Sequence, residues 1–125
     1  MSLKNKKMVQ RFIREFISGN DYLYQNYLDD DVKWNIVGMP PINGKRNFLE
    51  AMEMMEIWQS PMDSSNKGNE NNVIAEGDFV VIQNSINTDN PGNGYIPAHC
   101  DIYRINRGKI TEVTTYLVDT SVNEL

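Results

Sequence analysis

The segment His99-Cys100-Asp101-Ile102-Tyr103-Arg104-Ile105, the turn Asn106-Arg107-Gly108-Lys109 and the run Ile110 to Tyr116 constrain the fold more than any other part of the chain. Two extended segments around a glycine turn are the pattern of a β-hairpin. Alternate residues of a strand share a face, so His99, Asp101 and Tyr103 stand together, with Cys100, Ile102 and Arg104 opposite. A regular register adds Thr115 and Leu117 to the first face. His99 is the single histidine of the chain, and it shares its face with a carboxylate two residues on. Such a face is a candidate acid–base site if it lines a pocket.

The remaining segments supply something for that face to pack against. Met8, Val9, Phe12, Ile13, Phe16 and Ile17 repeat at the spacing of an amphipathic helix, which Gly19 ends. Asp21 is placed to cap a second, shorter helix carrying Tyr22, Leu23, Tyr27 and Leu28. Asp29-Asp30-Asp31 then reads as a solvated acidic turn, because calcium loops need alternating ligands and a glycine. Val32 to Val37 alternates as a strand, with Val32, Trp34 and Ile36 on one face and Lys33, Asn35 and Val37 on the other. The Gly38 to Gly44 loop opens a third helix, with Phe48, Leu49, Met52, Met55 and Trp58 as its apolar stripe. Val73 to Glu76 and Phe79 to Ile86 are strand-like around Gly77-Asp78, and Tyr95 opens the strand that holds His99.

This order predicts an α+β fold: a cone-shaped, curved antiparallel sheet with three helices from the N-terminal half packed on its concave face. A curved sheet closed by helices leaves a conical, mostly apolar cavity of the kind that takes small ligands. Residues 4–125 read as one domain, with Met1-Ser2-Leu3 a leader outside it. The net charge of −5 argues against nucleic acid and against an anionic membrane surface as partners. One cysteine excludes an internal disulfide and a cysteine-based zinc cluster. With no apolar run near the length of a membrane span and no signal-like N-terminus, a cytoplasmic protein is expected.

Several pieces, in order and at spacing, resemble the nuclear transport factor two-like superfamily, which includes ketosteroid isomerases, limonene epoxide hydrolases and SnoaL-like polyketide cyclases. They are Arg11-Phe12-Ile13, Ser18 to Asp21, Leu28 to Trp34, the Gly38…Gly44 loop, Ala75 to Asp78, His99 to Arg104 and Gly108 to Glu112. The pair His99-x-Asp101 is similar to the His-x-Asp of SnoaL-like cyclases, whose aspartate is taken as the base that removes a proton beside a carbonyl. The resemblance therefore implies proton abstraction, aldol-type cyclisation or isomerisation on an apolar carbonyl compound. Asp101 would be base or acid and His99 its partner, without a metal or organic cofactor. It also implies a homodimer through the outer sheet face around Cys100, Ile102 and Val81 or Ile82.

Departures from the family pattern matter as much. Asn35 lies near the general-base aspartate of the ketosteroid isomerases, Phe12 stands where they keep an oxyanion tyrosine, and Thr115 replaces an acidic residue. An amide takes no proton at neutral pH, so steroid isomerisation by that route is not expected. A non-catalytic binding or interaction module of the same fold is the alternative, with His99 and Asp101 then a structural pair. The ligand-binding residues expected in the cone are Phe12, Phe16, Trp34, Asn35, Met39, Met52, Met55, Tyr103, Thr115 and Leu117, Trp34 being either core or pocket wall. Arg104 is expected in an outer-face ion pair with Glu112, and Cys100 in packing under a helix or an interface.

Overall fold

A computed structural model describes residues 2–17, 24–59, 72–84 and 98–118. The elements are α1 (Ser2–Ile17), a 3-10 turn (Gln25–Tyr27), β1 (Leu28–Ile36), β2 (Ile42–Asn43), α2 (Lys45–Gln59), β3 (Asn72–Glu76), β4 (Phe79–Asn84), β5 (Ala98–Asn106) and β6 (Lys109–Val118). The six strands form one open sheet in the order β2-β1-β6-β5-β4-β3. The α+β class expected from the order of elements holds.

Two features of the expected plan change. Two α-helices cover the sheet among the described residues, not three. The chain after Tyr24 makes one 3-10 turn and is in strand by Leu28. Leu28 pairs with Ile110 of β6 and is buried, so sheet pairing takes a position that apolar spacing assigned to a helix. The Gly19 stop and the Asp21 cap lie outside the described residues, as does Tyr95. The sheet is also mixed. β1 runs parallel to β6, with Trp34 opposite Val113 and Ile36 opposite Thr115, while the other pairings are antiparallel.

Asp29, Asp30 and Asp31 belong to β1 and do not form a turn after a helix. The register jumps between Leu28 and Lys33 while β6 advances from Ile110 to Glu112, so the three aspartates form a bulge. Asp31 N–H donates to Asp29 Oδ2 at 2.9 Å inside it. Leu28 and Val32 on either side are both buried, and Asp30 and Asp31 stay exposed. The bulge therefore keeps the carboxylates in water without losing the apolar face of the strand.

That inner face is covered by the helices. α1 crosses β3 and β4, and α2 lies against β1 and β2. Phe12, fully buried, meets the edges of Tyr24, Tyr27 and Tyr103 at ring separations of 6.0, 6.3 and 6.3 Å. Edge-to-face aromatic pairs of this kind add about 0.5–1.5 kcal/mol each beyond the area they bury. Phe48 of α2 packs on Trp34 at 4.9 Å. No helix of the described residues is long and apolar enough to cross a membrane.

Candidate functional site

The β5–β6 hairpin holds the site. Its two-residue turn has positive φ at both positions, 53° at Arg107 and 76° at Gly108. That is the turn whose twist matches the flanking strands, and glycine enters it at no steric cost. Further along, Arg104 pairs with Glu112 but Ile105 pairs with Ile110, which leaves Thr111 as an extra residue. This bulge shifts the alternation of β6 by one. Ile110 and Val113 therefore both reach the core, although they are three positions apart. After the bulge Tyr103 stands opposite Val113, Asp101 opposite Thr115 and His99 opposite Leu117.

Three strands then contribute to one hydrogen-bonded chain on the inner face. The indole N–H of Trp34 (β1) donates to Thr115 Oγ1 (β6) at 2.8 Å. The Thr115 hydroxyl lies 2.6 Å from Asp101 Oδ1 (β5). Asp101 Oδ2 lies 2.9 Å from His99 Nδ1. Thr115 is 2% exposed, and the Asp101 and His99 side chains are 13% and 21% exposed. The chain runs from the packed centre of the sheet outward to the imidazole. Burial, and next to it the charge of Asp101, push the Tyr103 phenol well above its ordinary range. Tyr103 therefore stays a neutral wall of the site.

The expected site residues separate into groups. His99, Asp101, Thr115 and Trp34 are brought into direct contact. Tyr103 and Phe12 are buried beside them, Phe16 packs on Tyr24 at 5.3 Å, and Met52 packs against the core from α2. Leu117 is on the same face but 42% exposed, and Met39 is 60% exposed in the loop after β1. Met55 lies in α2, with its side chain outside the described residues. Asn35 belongs elsewhere. It is on the outer face, where its amide donates to Glu112 Oε2 at 2.7 Å. Strand alternation separates it from Trp34 and the inner face.

The outer face departs from expectation at one further point. Arg104 is directly across from Glu112, yet its guanidinium sits over the Phe79 ring at 5.7 Å, while Glu112 takes the Asn35 amide. Among the described residues these two make no ion pair within 4.0 Å. Cys100 is on this face, and burial followed by the nearby Asp101 charge raises its thiol. A thiol held protonated is a poor nucleophile. Ile82 is on the inner face and 2% exposed, so Val81 is the β4 residue that accompanies Ile102 outward.

The link from Trp34 to Thr115 was not readable from either segment alone. It depends on the parallel pairing of β1 with β6, across 81 positions of sequence. Phe48, which fixes the indole from α2, carried a signal only as part of an apolar helical stripe.

The family model for the SnoaL-like domain matches residues 9–113, most of the chain. The chain belongs to the SnoaL-like family. Its sheet and helices are similar to several solved structures. One is an NTF2-like protein of unknown function from Cytophaga hutchinsonii, 24% identical, covering 90% of this chain and 98% of that one, with a TM-score of 0.62. A candidate polyketide cyclase from Xanthomonas campestris pv. campestris is 20% identical over 92% of this chain and 90% of that one, with a TM-score of 0.65. An LEH-like epoxide hydrolase of M. tuberculosis is 18% identical over 93% and 84%, with a TM-score of 0.64. At these identities the likeness establishes the fold alone. No curated protein matches the chain. The SnoaL-like match ends at Val113, two residues short of Thr115.

Proposed function

We propose that this SnoaL-like protein binds a small, largely apolar carbonyl compound in a conical pocket on the inner sheet face. His99 and Asp101 move a proton to or from the carbon beside its carbonyl, as in aldol-type cyclisation or isomerisation. The observation that carries this is the part-buried His99–Asp101 contact of 2.9 Å, anchored from behind by Thr115. A His–carboxylate pair held in one geometry on an apolar face is suited to general acid–base work. Phe12, Phe16, Tyr103 and Met52 supply apolar surroundings. The cyclase and the epoxide hydrolase among the structural neighbours make small-molecule chemistry consistent with the fold, without specifying it.

A thermal-shift screen against apolar carbonyl compounds, followed by turnover assays on the hits, tests this directly. Hits are expected to raise Tm and to be turned over. Asp101→Asn should lower turnover by about 10²-fold or more, the usual range for proton-transfer groups, and leave binding measurable. Full turnover by Asp101→Asn would sink the proton-transfer role. Binding without turnover would favour a non-catalytic ligand-binding module. Two observations bear on that second reading: Asn35 is on the far face, and Phe12 is buried without a donor where ketosteroid isomerases carry tyrosine.

The outer face, with Ile74, Phe79 and Tyr116 exposed beside Cys100 and Ile102, is assigned to a second copy of the chain. Sedimentation at micromolar concentration should give a dimer, and a monomer there would refute the assignment.

A further inference from the structure

Trp34 and Thr115 are expected among the ligand-binding residues of the cone, yet both are buried and their polar atoms are already engaged. The Trp34 ring packs on Phe48 of α2 at 4.9 Å, and its indole N–H reaches across to β6. An indole N–H only donates, so Thr115 Oγ1 accepts from it at 2.8 Å. A hydroxyl has one proton, which rotates to suit its surroundings. Among the described residues the acceptor for that proton is Asp101 Oδ1, at 2.6 Å. The indole thus occupies one side of the oxygen and leaves the proton the direction of the carboxylate.

Asp101 Oδ2 meets His99 Nδ1 at 2.9 Å. Each carboxylate oxygen therefore has its own partner, and the group is held at two points. This is so with the proton between Oδ2 and Nδ1 on either atom. The terminal torsion of an aspartate is broad, and one partner would leave the carboxylate free to turn. Two partners fix its plane. Orientation of this kind matters to a reacting group, because a displacement of about 1 Å can cost ~10²-fold in rate.

We propose, resting on the acid–base reading above, that Trp34 and Thr115 are positioning residues of the proton-transfer pair. Phe48 packs the indole, the indole directs the Thr115 hydroxyl, and the hydroxyl sets the plane in which Asp101 presents Oδ2 to the proton it shares with His99. Neither Trp34 nor Thr115 touches the ligand. The orientation of the pair is set from the packed side of the sheet, by two strands and a helix that lie behind it.

The hydrogen-bonded chain is tested first without a ligand. Trp34 is one of two tryptophans, and Trp58→Phe identifies its indole N–H signal. That signal should move in Thr115→Val and return in Thr115→Ser. An indole signal unmoved by Thr115→Val overturns the proposal. On a compound of the carbonyl screen that the protein turns over, Thr115→Val should lower kcat by about 10–10²-fold with KM little changed. Thr115→Ser should keep most of the turnover. Trp34→Phe keeps an aromatic ring against Phe48 and removes the N–H; it should lower kcat by less, because the hydroxyl remains but is free to turn. Both residues act through one hydroxyl, so the double variant should be no slower than Thr115→Val alone. Losses that multiply would separate the two residues and refute the chain of positioning. A raised KM with kcat intact would make Thr115 a ligand contact and refute it as well. Should Thr115→Val fail to fold, Trp34→Phe decides, and an unchanged kcat there refutes the directing role of the indole. Intact kcat in Thr115→Val, on a compound whose turnover Asp101→Asn abolishes, sinks this proposal alone. Turnover that survives Asp101→Asn in full, or binding with no turnover of any compound, sinks the acid–base reading and the positioning with it.

Discussion

Replacing Thr115 with valine keeps the shape of the side chain and removes one hydroxyl, at a position 2% exposed. Two hydrogen bonds disappear. The buried Trp34 N–H loses its acceptor, and an unsatisfied buried donor costs about 1–3 kcal/mol. Asp101 loses the 2.6 Å hydroxyl donor, and hydrogen bonds to charged groups contribute about 1.5–3 kcal/mol. The added methyl recovers about 0.8 kcal/mol of burial. A net destabilisation of about 2–5 kcal/mol follows. Thr115→Ser keeps both hydrogen bonds and loses one buried methyl, which by comparison with isoleucine-to-valine changes costs about 0.5–1.5 kcal/mol. Urea denaturation separates the two variants. With a slope of about 1.5 kcal/mol per molar for a small protein, valine should lower the midpoint by about 1–3 M and serine by about 1 M at most. If packing alone mattered, the order would reverse. A valine variant at least as stable as the serine variant would refute the hydrogen-bonded chain as a stabilising element.

Two further outcomes follow from the same geometry. The Tyr103 phenol is raised above its ordinary range by burial and by Asp101, so folding favours its neutral form. That contribution is complete below pH of about 10, where the unfolded phenol titrates, and is lost as pH climbs through the higher folded value. Tyr103→Phe should therefore flatten the alkaline side of the stability curve, and an unaltered alkaline slope would count against burial of this group. Asn35→Asp replaces a 2.7 Å hydrogen bond to Glu112 by two facing carboxylates. It should cost about 1–2 kcal/mol at neutral pH, measured by the same denaturation, and should leave the His99 imidazole spectrum unchanged. A changed imidazole would place Asn35 with the inner face after all.

The sequence was most legible where local chemistry settles local shape. Asn106-Arg107-Gly108-Lys109 reads as a hairpin turn because glycine relieves the positive φ found there. The alternation of His99, Asp101 and Tyr103 reads directly as a shared face. Legibility ended where distant segments compete for the same residues. Leu28 satisfies a helical stripe as well as it satisfies β1, and pairing with Ile110 decides the matter. Asn35 was drawn toward the site by an alignment with an enzyme family, while its own alternation with Trp34 already put it on the opposite face. The face that Asp101 shares with His99 was legible. Its hydrogen-bond surroundings were not, because the donor that occupies Oδ1 arrives from β6 and is itself fixed by an indole on β1.

The parallel seam between β1 and β6 has a consequence for how the protein comes to exist. Trp34 and Val113 are neighbours in the sheet but far apart along the chain. Contacts of such separation form late, because the closure entropy of the long intervening segment must be overcome before they contribute anything. While the chain emerges from the ribosome, β1 can pair with β2 but not with β6. Its other edge stays unpaired, and the indole of Trp34 lacks its hydroxyl acceptor. Thr115 follows Trp34 by 81 positions, and only once it is present can the seam and the chain to His99 close. A chain caught before that moment exposes strand edges prone to aggregation. The hydrogen bond at Trp34 Nε1 is thus also a reporter of seam closure, and its indole signal would mark the moment at which β1 and β6 meet.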